Sequence, residues 1–115
     1  MRLVDQQNKI SEKELKAMSE KMFGDLVKAV VDVKQKIMIV DAELHADEEQ
    51  ELLEKYNSQQ KDLWGINIYP EEKGYFIEFD SMINLRPAAG NKSRGVDNQS
   101  LCQQIREIVQ KLITK

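Results

Sequence analysis

Cysteine is nearly absent from the sequence, since Cys102 is the only one among 115 residues. A single cysteine excludes an intramolecular disulfide and favours a reducing compartment, so we expect a cytoplasmic protein. Long apolar runs are also missing. The longest is the four residues Ile37–Val40, far below the ~20 that a membrane helix needs. The first residues lack the apolar segment of a secretory signal. We therefore expect no membrane association.

An excess of basic residues is missing as well. The net charge of −3 argues against a general nucleic-acid binder, so nucleic acid is not an expected partner. The charge is uneven, because residues 86–115 hold six basic and two acidic side chains, whereas residues 41–54 hold seven acids and no lysine or arginine. This asymmetry fits an acidic helix beside a basic tail, and it also fits a polar partner or a second copy of the chain.

Histidine occurs once, at His45. Glu43, His45 and Asp47 are spaced by two, so an extended segment would turn all three to one side. A structural role is the favoured interpretation, and Glu43 and His45 remain secondary candidates for a site. A metal hydrolase built on Glu43, His45 and Asp80 would lack a complete ligand set, so we predict neither a metal nor another cofactor.

The composition, 41% hydrophobic and 32% charged, is that of a globular chain. We expect one domain over residues 1–115, with residues 1–9 flexible or irregular. A capping box of Ser11 and Glu14 begins a first helix, and Gly24 follows its end.

The rest of the chain divides into two strand pairs and two helices. Valine-rich residues 26–33 and residues 36–44 predict a hairpin, with a helix reaching residue 36 as the competing interpretation. An acidic helix follows, in which Asp47 and Gln50 can form a capping box. Strands 63–69 and 75–86 and a last helix over 98–114 complete an α-ββ-α-ββ-α order. This order predicts an α+β fold with a four-stranded antiparallel sheet and helices mainly on one face.

The segment "IEFDSMINLRPAAGNKSRG" (77–95) becomes unusually polar for a strand. Side chains alternate across a strand, so Ile77, Phe79 and Ile83 predict a core row, while Asp80, Asn84 and Arg86 predict an opposite polar row. Asn67 of the neighbouring strand shares that polar face. A ligand-facing row is one explanation, and a β-bulge near Asp80 that bonds local backbone is the other.

The loop after this strand combines glycines with Asn91, Lys92, Ser93 and Arg94, and a helix begins just beyond it. Exposed amides, basic side chains and a helix amino end can together hold an anion such as phosphate. The spacing is not that of a P-loop, and a polar connector is the competing interpretation.

Two functions follow from these features. The first is a module that binds a small polar or phosphate-bearing ligand, with or without a reaction, through the polar face of strand 75–86 and the loop 87–95. Its candidate residues are Asn67, Asp80, Asn84, Arg86, Asn91, Lys92, Ser93 and Arg94. The alternative is a non-catalytic interaction or regulatory module, such as a homodimer.

Several uncommon segments occur together and in one order: "AELHADEEQELLE" (42–54), "DLWGINIYP" (62–70), "IEFDSMIN" (77–84), "RP" (86–87) and "GNKSRGV" (90–96). From about Phe23 to Ile113 the chain resembles a family of small prokaryotic proteins of unknown function. It departs from that pattern at "DAEL", where a glycine-rich "GGEL" would be expected. The resemblance implies a bacterial or archaeal cytoplasmic setting and no reaction, cofactor or catalytic residue.

Overall fold

A computed structural model describes residues 1–115 of the chain, which form three α-helices, seven strands and three short 3-10 helices. The strands are β1 (Arg2–Val4), β2 (Ile10–Ser11), β3 (Val27–Asp32), β4 (Ile37–Val40), β5 (Leu63–Pro70), β6 (Tyr75–Glu78) and β7 (Ile113–Thr114). The helices are α1 (Glu12–Met22), α2 (His45–Lys55) and α3 (Gln99–Leu112), and the 3-10 helices are Gln60–Asp62, Met82–Asn84 and Pro87–Ala89.

Five strands form one antiparallel sheet in the order β1-β4-β3-β5-β6. The α+β class and the antiparallel sheet are thus confirmed, but the predicted count of four strands was wrong. Residues 1–9, expected to be irregular, supply β1, in which Leu3 pairs with Ile39 of β4. Three residues are too few to show a period-2 pattern, which explains why this strand escaped prediction.

Helices cover both faces of the sheet, which corrects the expectation that they lie mainly on one. The larger core packs Leu15 of α1 and Ile105 of α3 against Ala29 and Ile66. On the opposite face a smaller cluster joins Leu52 of α2 to strand residues such as Val30. The fold therefore has three layers, and α2 is the one α-helix on the second face.

Helix α1 begins as its sequence predicts. The Ser11 hydroxyl accepts from the Glu14 amide at 3.0 Å, and the Glu14 carboxylate accepts from the Ser11 amide at 3.1 Å. Gly24 follows the helix with a φ of +93°, a backbone angle that glycine adopts without a Cβ clash.

Strands β3 and β4 form the predicted hairpin, so the competing helix is excluded. The turn depends on Asp32, whose carboxylate accepts from the amides of Lys34 at 2.9 Å and Gln35 at 3.0 Å. Lys36 takes a φ of +59°, one of the few left-handed non-glycine residues. An aspartate therefore organises this turn in place of the Asn-Gly pair that short hairpins favour.

The strand predicted over 75–86 ends at Glu78, and this corrects the parity assigned beyond it. The Ser81 hydroxyl accepts from the Ile83 amide at 3.3 Å and caps the 3-10 helix Met82–Asn84. Ile83 consequently packs against the α2 cluster instead of the main core. The predicted polar row of Asp80, Asn84 and Arg86 is not one face of a strand.

The last helix, α3, takes Asn98 as its cap, with its side-chain oxygen accepting from the Leu101 amide at 3.1 Å. After α3 the chain forms β7, which pairs in parallel with β2 and closes the layer of α1 and α3. None of the three helices combines the length and apolarity that crossing a membrane would require.

Candidate functional site

A pocket of about 290 Å³ lies where the start of α2 meets the segment that follows β6. We call it the α2 pocket. Its polar lining is Lys28, His45, Asn67, Ser81, Asp80 and Arg94, and its apolar lining includes Leu44 and Met82. Of the residues predicted from the sequence, Asn67, Asp80, Arg94 and the secondary candidate His45 are brought together here.

The strand register brings Lys28 and Asn67 side by side at the floor of this pocket. Lys28 on β3 is the direct neighbour of Asn67 on β5, which in turn is paired with Glu78 on β6. Paired residues in adjacent antiparallel strands point to the same face, so these three polar side chains form a row across the sheet. The row lies on the face covered by α2, where the helix begins over it.

Asn67 is held by its amide nitrogen. Its Nδ2 donates to the Glu78 carboxylate at 2.8 Å and to the Asp80 carbonyl oxygen at 3.3 Å. Its Oδ1 is buried and accepts no hydrogen bond, although Asn67 is only 6% exposed. A buried acceptor without a donor costs free energy, and the side chain that faces Asn67 is His45, whose protonated form would bond it.

His45 is the first residue of α2, and its ring is nearly buried. Its Nε2 lies 2.8 Å from the carbonyl oxygen of Ile66. A carbonyl only accepts, so Nε2 carries the proton. Burial, with the positive charge of Lys28, lowers the pKa of His45. The ring is therefore neutral at pH 7, and Nδ1 is left as an acceptor.

Helix α2 starts without a side-chain cap, because Leu44 occupies the cap position. The predicted capping role of Asp47 is not realised, since Asp47 already lies inside the helix. The first N–H groups of a helix lack partners within the helix and carry partial positive charge. Leu44, His45 and Ala46 all line the α2 pocket, so this end of the helix faces it.

Arg94 and Asp80 form an ion pair on the opposite wall, with Arg94 Nε 2.8 Å from Asp80 Oδ1. Both side chains are well exposed, at 56% and 42%. Only Nε of the guanidinium group bonds to the protein, so its two terminal amino groups are available to a ligand. The Arg94 carbonyl oxygen accepts from the Ser81 amide at 2.9 Å, which fixes the backbone of this wall.

Two other predicted residues, Asn84 and Asn91, support this wall from behind. Asn84 is fully buried, and its side-chain amide donates to the carbonyl oxygens of Gly65 and Arg94 and accepts from the Gly65 amide. Asn91 Nδ2 donates to the carbonyl oxygens of Asn84 and Gly95. Their polar groups are thus occupied by the backbone, and they position Arg94 without lining the pocket.

Arg86 also has a structural role. Its guanidinium group donates to the carbonyl oxygens of Ile83 and Leu63, lies 4.6 Å from the centre of the Trp64 ring, and stands 3.9 Å from the Glu49 carboxylate. Its side chain is only 15% exposed. Arg86 therefore fixes the end of β5 and does not reach the α2 pocket.

At the start of α3, where the loop 87–95 was one candidate for an anion site, a carboxylate of the protein lies among the loop's polar groups. The Asp97 carboxylate accepts from the Lys92 amide at 2.7 Å and from the Ser93 hydroxyl. These two hydrogen bonds, the Ser93 one foremost, lower the pKa of Asp97. The polar groups that would hold an anion here are occupied by a carboxylate of the protein itself.

The Glu43-His45-Asp47 spacing does not produce a cluster, because the helix starts within it. Glu43 is exposed and does not line the α2 pocket. The structure groups no three His, Cys, Asp or Glu side chains in a way that could hold a metal ion.

Sequence reasoning missed Lys28 and the uncapped start of α2. Lys28 could have been predicted from strand parity, because its side chain points to the face opposite to Val27 and Ala29.

The comparisons with known proteins identify the family. The model of the family described as Protein of unknown function (DUF5674) matches residues 4–112, so the chain belongs to this family, and the expected resemblance to a family of unknown function is confirmed. No curated protein and no solved structure matches the chain.

Proposed function

We propose that this member of the family binds a small anionic ligand in the α2 pocket. The observation that carries the proposal is the uncapped start of α2, which faces the same pocket as two basic side chains, Lys28 and Arg94. Amide groups at a helix amino end attract anions, and a basic residue opposite them strengthens this attraction.

The charges of the pocket support an anion rather than a cation. Lys28 and Arg94 are positive, Asp80 is negative, and His45 is neutral at pH 7 because burial lowers its pKa. The lining therefore carries a net positive charge of one, in addition to the partial charge of the helix end. The Lys28 ammonium lies 5.0 Å from the centre of the Phe23 ring, so Arg94 is the cation with the freer donor groups.

The Arg94 guanidinium group is the first residue to test, and the chain offers a matched control. Arg94→Gln removes the terminal donors and the charge, while Lys92→Gln removes an equal charge from the same loop outside the pocket. We expect calorimetric titration with inorganic phosphate at fixed ionic strength to give about a tenfold weaker Kd for Arg94→Gln, because a charge-assisted hydrogen bond is lost.

Lys92→Gln should change the Kd for phosphate by less than about twofold, since an exposed charge at a distance is screened by salt. Equal weakening in both variants would mean that phosphate responds only to the overall charge of the loop. No saturable binding to the wild-type protein would contradict the proposal outright.

A further inference from the structure

Asn67 Oδ1, which accepts no hydrogen bond from the protein, restricts the chemical class of the ligand further. The Asn67 amide group cannot be turned over, because its Nδ2 faces two acceptors, the Glu78 carboxylate and the Asp80 carbonyl oxygen. A flipped amide would set Oδ1 against both of them. Oδ1 is therefore fixed on the other side, where the neighbouring His45 ring, whose proton is on Nε2, gives it no hydrogen bond.

A second acceptor lies on the same side of the pocket. His45 uses Nε2 to donate to the Ile66 carbonyl oxygen, so Nδ1 of the neutral ring has only a lone pair to offer. No protein group donates to Nδ1, and the Lys28 ammonium is directed toward the Phe23 ring. The pocket thus contains two acceptors without a protein donor, Asn67 Oδ1 and His45 Nδ1, in addition to the donor groups of Arg94 and of the first α2 amides.

We propose that the natural ligand joins an anionic group to a hydroxyl or amino donor, as polyol phosphates and hydroxy acids do. The anionic group lies against Arg94 and the amides of α2, and the donor bonds Asn67 Oδ1. This inference rests on the proposed function and specifies the ligand class of the same pocket. The physical reason is that a buried acceptor rejects a ligand that leaves it unpaired.

A matched pair of probes separates this inference from the proposed function. Glycerol 3-phosphate and propyl phosphate carry the same phosphate ester group on a three-carbon chain, and only the former has hydroxyl groups. We expect glycerol 3-phosphate to bind the wild-type protein about tenfold tighter, the difference typical of one well-made hydrogen bond. In Asn67→Leu the two probes should bind equally, provided the melting temperature shows a folded protein.

A measurement on the wild-type protein makes the test independent of how well that variant folds. The carbonyl carbon signal of the Asn67 side chain should shift on saturation with glycerol 3-phosphate and stay in place with propyl phosphate. Equal affinities for the two probes, with the Asn67 signal unmoved by either, would overturn the inference and leave anion binding intact. Failure of both probes and of inorganic phosphate to bind would overturn the proposed function itself.

Discussion

Glu48 is a carboxyl group with no exposed surface, and it lies in the first turns of α2. Its Oε2 accepts from the Ala42 amide at 3.1 Å, whereas Oε1 is buried without a partner. Burial raises the pKa of Glu48 from 4.5 to about 10. The side chain is therefore a neutral acid at pH 7, held in the layer between α2 and the sheet.

This protonation makes stability depend on pH in a defined direction. The unfolded chain releases the Glu48 proton near pH 4.5, whereas the folded protein keeps it up to about pH 10. Within that window each pH unit costs about 1.4 kcal/mol of unfolding free energy. Full stability from this group is present below pH 4.5 and falls as the pH rises.

Glu48→Gln replaces the neutral acid by a neutral amide of the same shape. We expect the variant to be roughly 2–3 kcal/mol more stable than the wild type at pH 7. The difference should vanish near pH 4.5, where both states of the wild type hold the proton. Urea unfolding of both proteins at pH 4.5, 7 and 8.5 measures this. A stability difference that stays constant from pH 4.5 to 8.5 would contradict a protonated Glu48 in the folded protein.

Strand β5 extends beyond the end of its neighbour β6, and a side chain takes the place of the missing strand there. Strand β6 ends at Glu78, so Gly65 on β5, which pairs with Val30 of β3 on one side, has no strand residue on the other side. The Asn84 side chain takes this place, accepting from the Gly65 amide at 2.8 Å and donating to the Gly65 carbonyl oxygen at 2.9 Å. The arrangement brings the chain around Ser81 so close that only glycine fits.

A methyl group on residue 65 would lie 2.6 Å from both Cβ and Oγ of Ser81. We expect Gly65→Ala to lower the unfolding free energy by roughly 1–3 kcal/mol, the usual cost of overpacking. Adding Ser81→Gly removes the clashing side chain, so the double variant should be more stable than Gly65→Ala. Thermal unfolding of the two single variants and the double variant gives the coupling between the sites. Strictly additive effects would contradict the close packing of these residues.

The elements differ in how far the sequence predicts them. The α1 start was predictable because its capping box is complete within four residues. The hairpin was also predictable, but the anchoring of its turn by the Ser58 hydroxyl, which donates to Asp32 at 2.7 Å from 26 residues away, was not. Likewise, the end of β6 depends on Asn84 reaching Gly65 across 19 residues. Sequence patterns therefore predict an element when the hydrogen bonds that define it join residues close together in the chain.

At the scale of the whole molecule, the candidate site joins segments that the sequence keeps apart. Asn67, Asp80 and Arg94 were predictable as polar residues in unfavourable strand or loop positions. Their proximity to Lys28 and to the start of α2 depends on the strand register and on which face of the sheet α2 covers. Both are properties of the tertiary structure. For the same reason Asn84 and Asn91, chosen as ligand contacts, prove to be bonded to backbone groups behind the pocket.

We infer that the α2 pocket, rather than the loop before α3, holds an anion. A titration of ¹⁵N-labelled protein with sodium sulfate at constant ionic strength tests it most directly, because sulfate keeps its charge at neutral pH. We predict saturable shifts of the His45 and Ala46 amides and of the Arg94 Nε–H signal. Saturable shifts confined to the Lys92, Ser93 and Leu101 amides, or only small linear changes throughout the protein, would contradict the account.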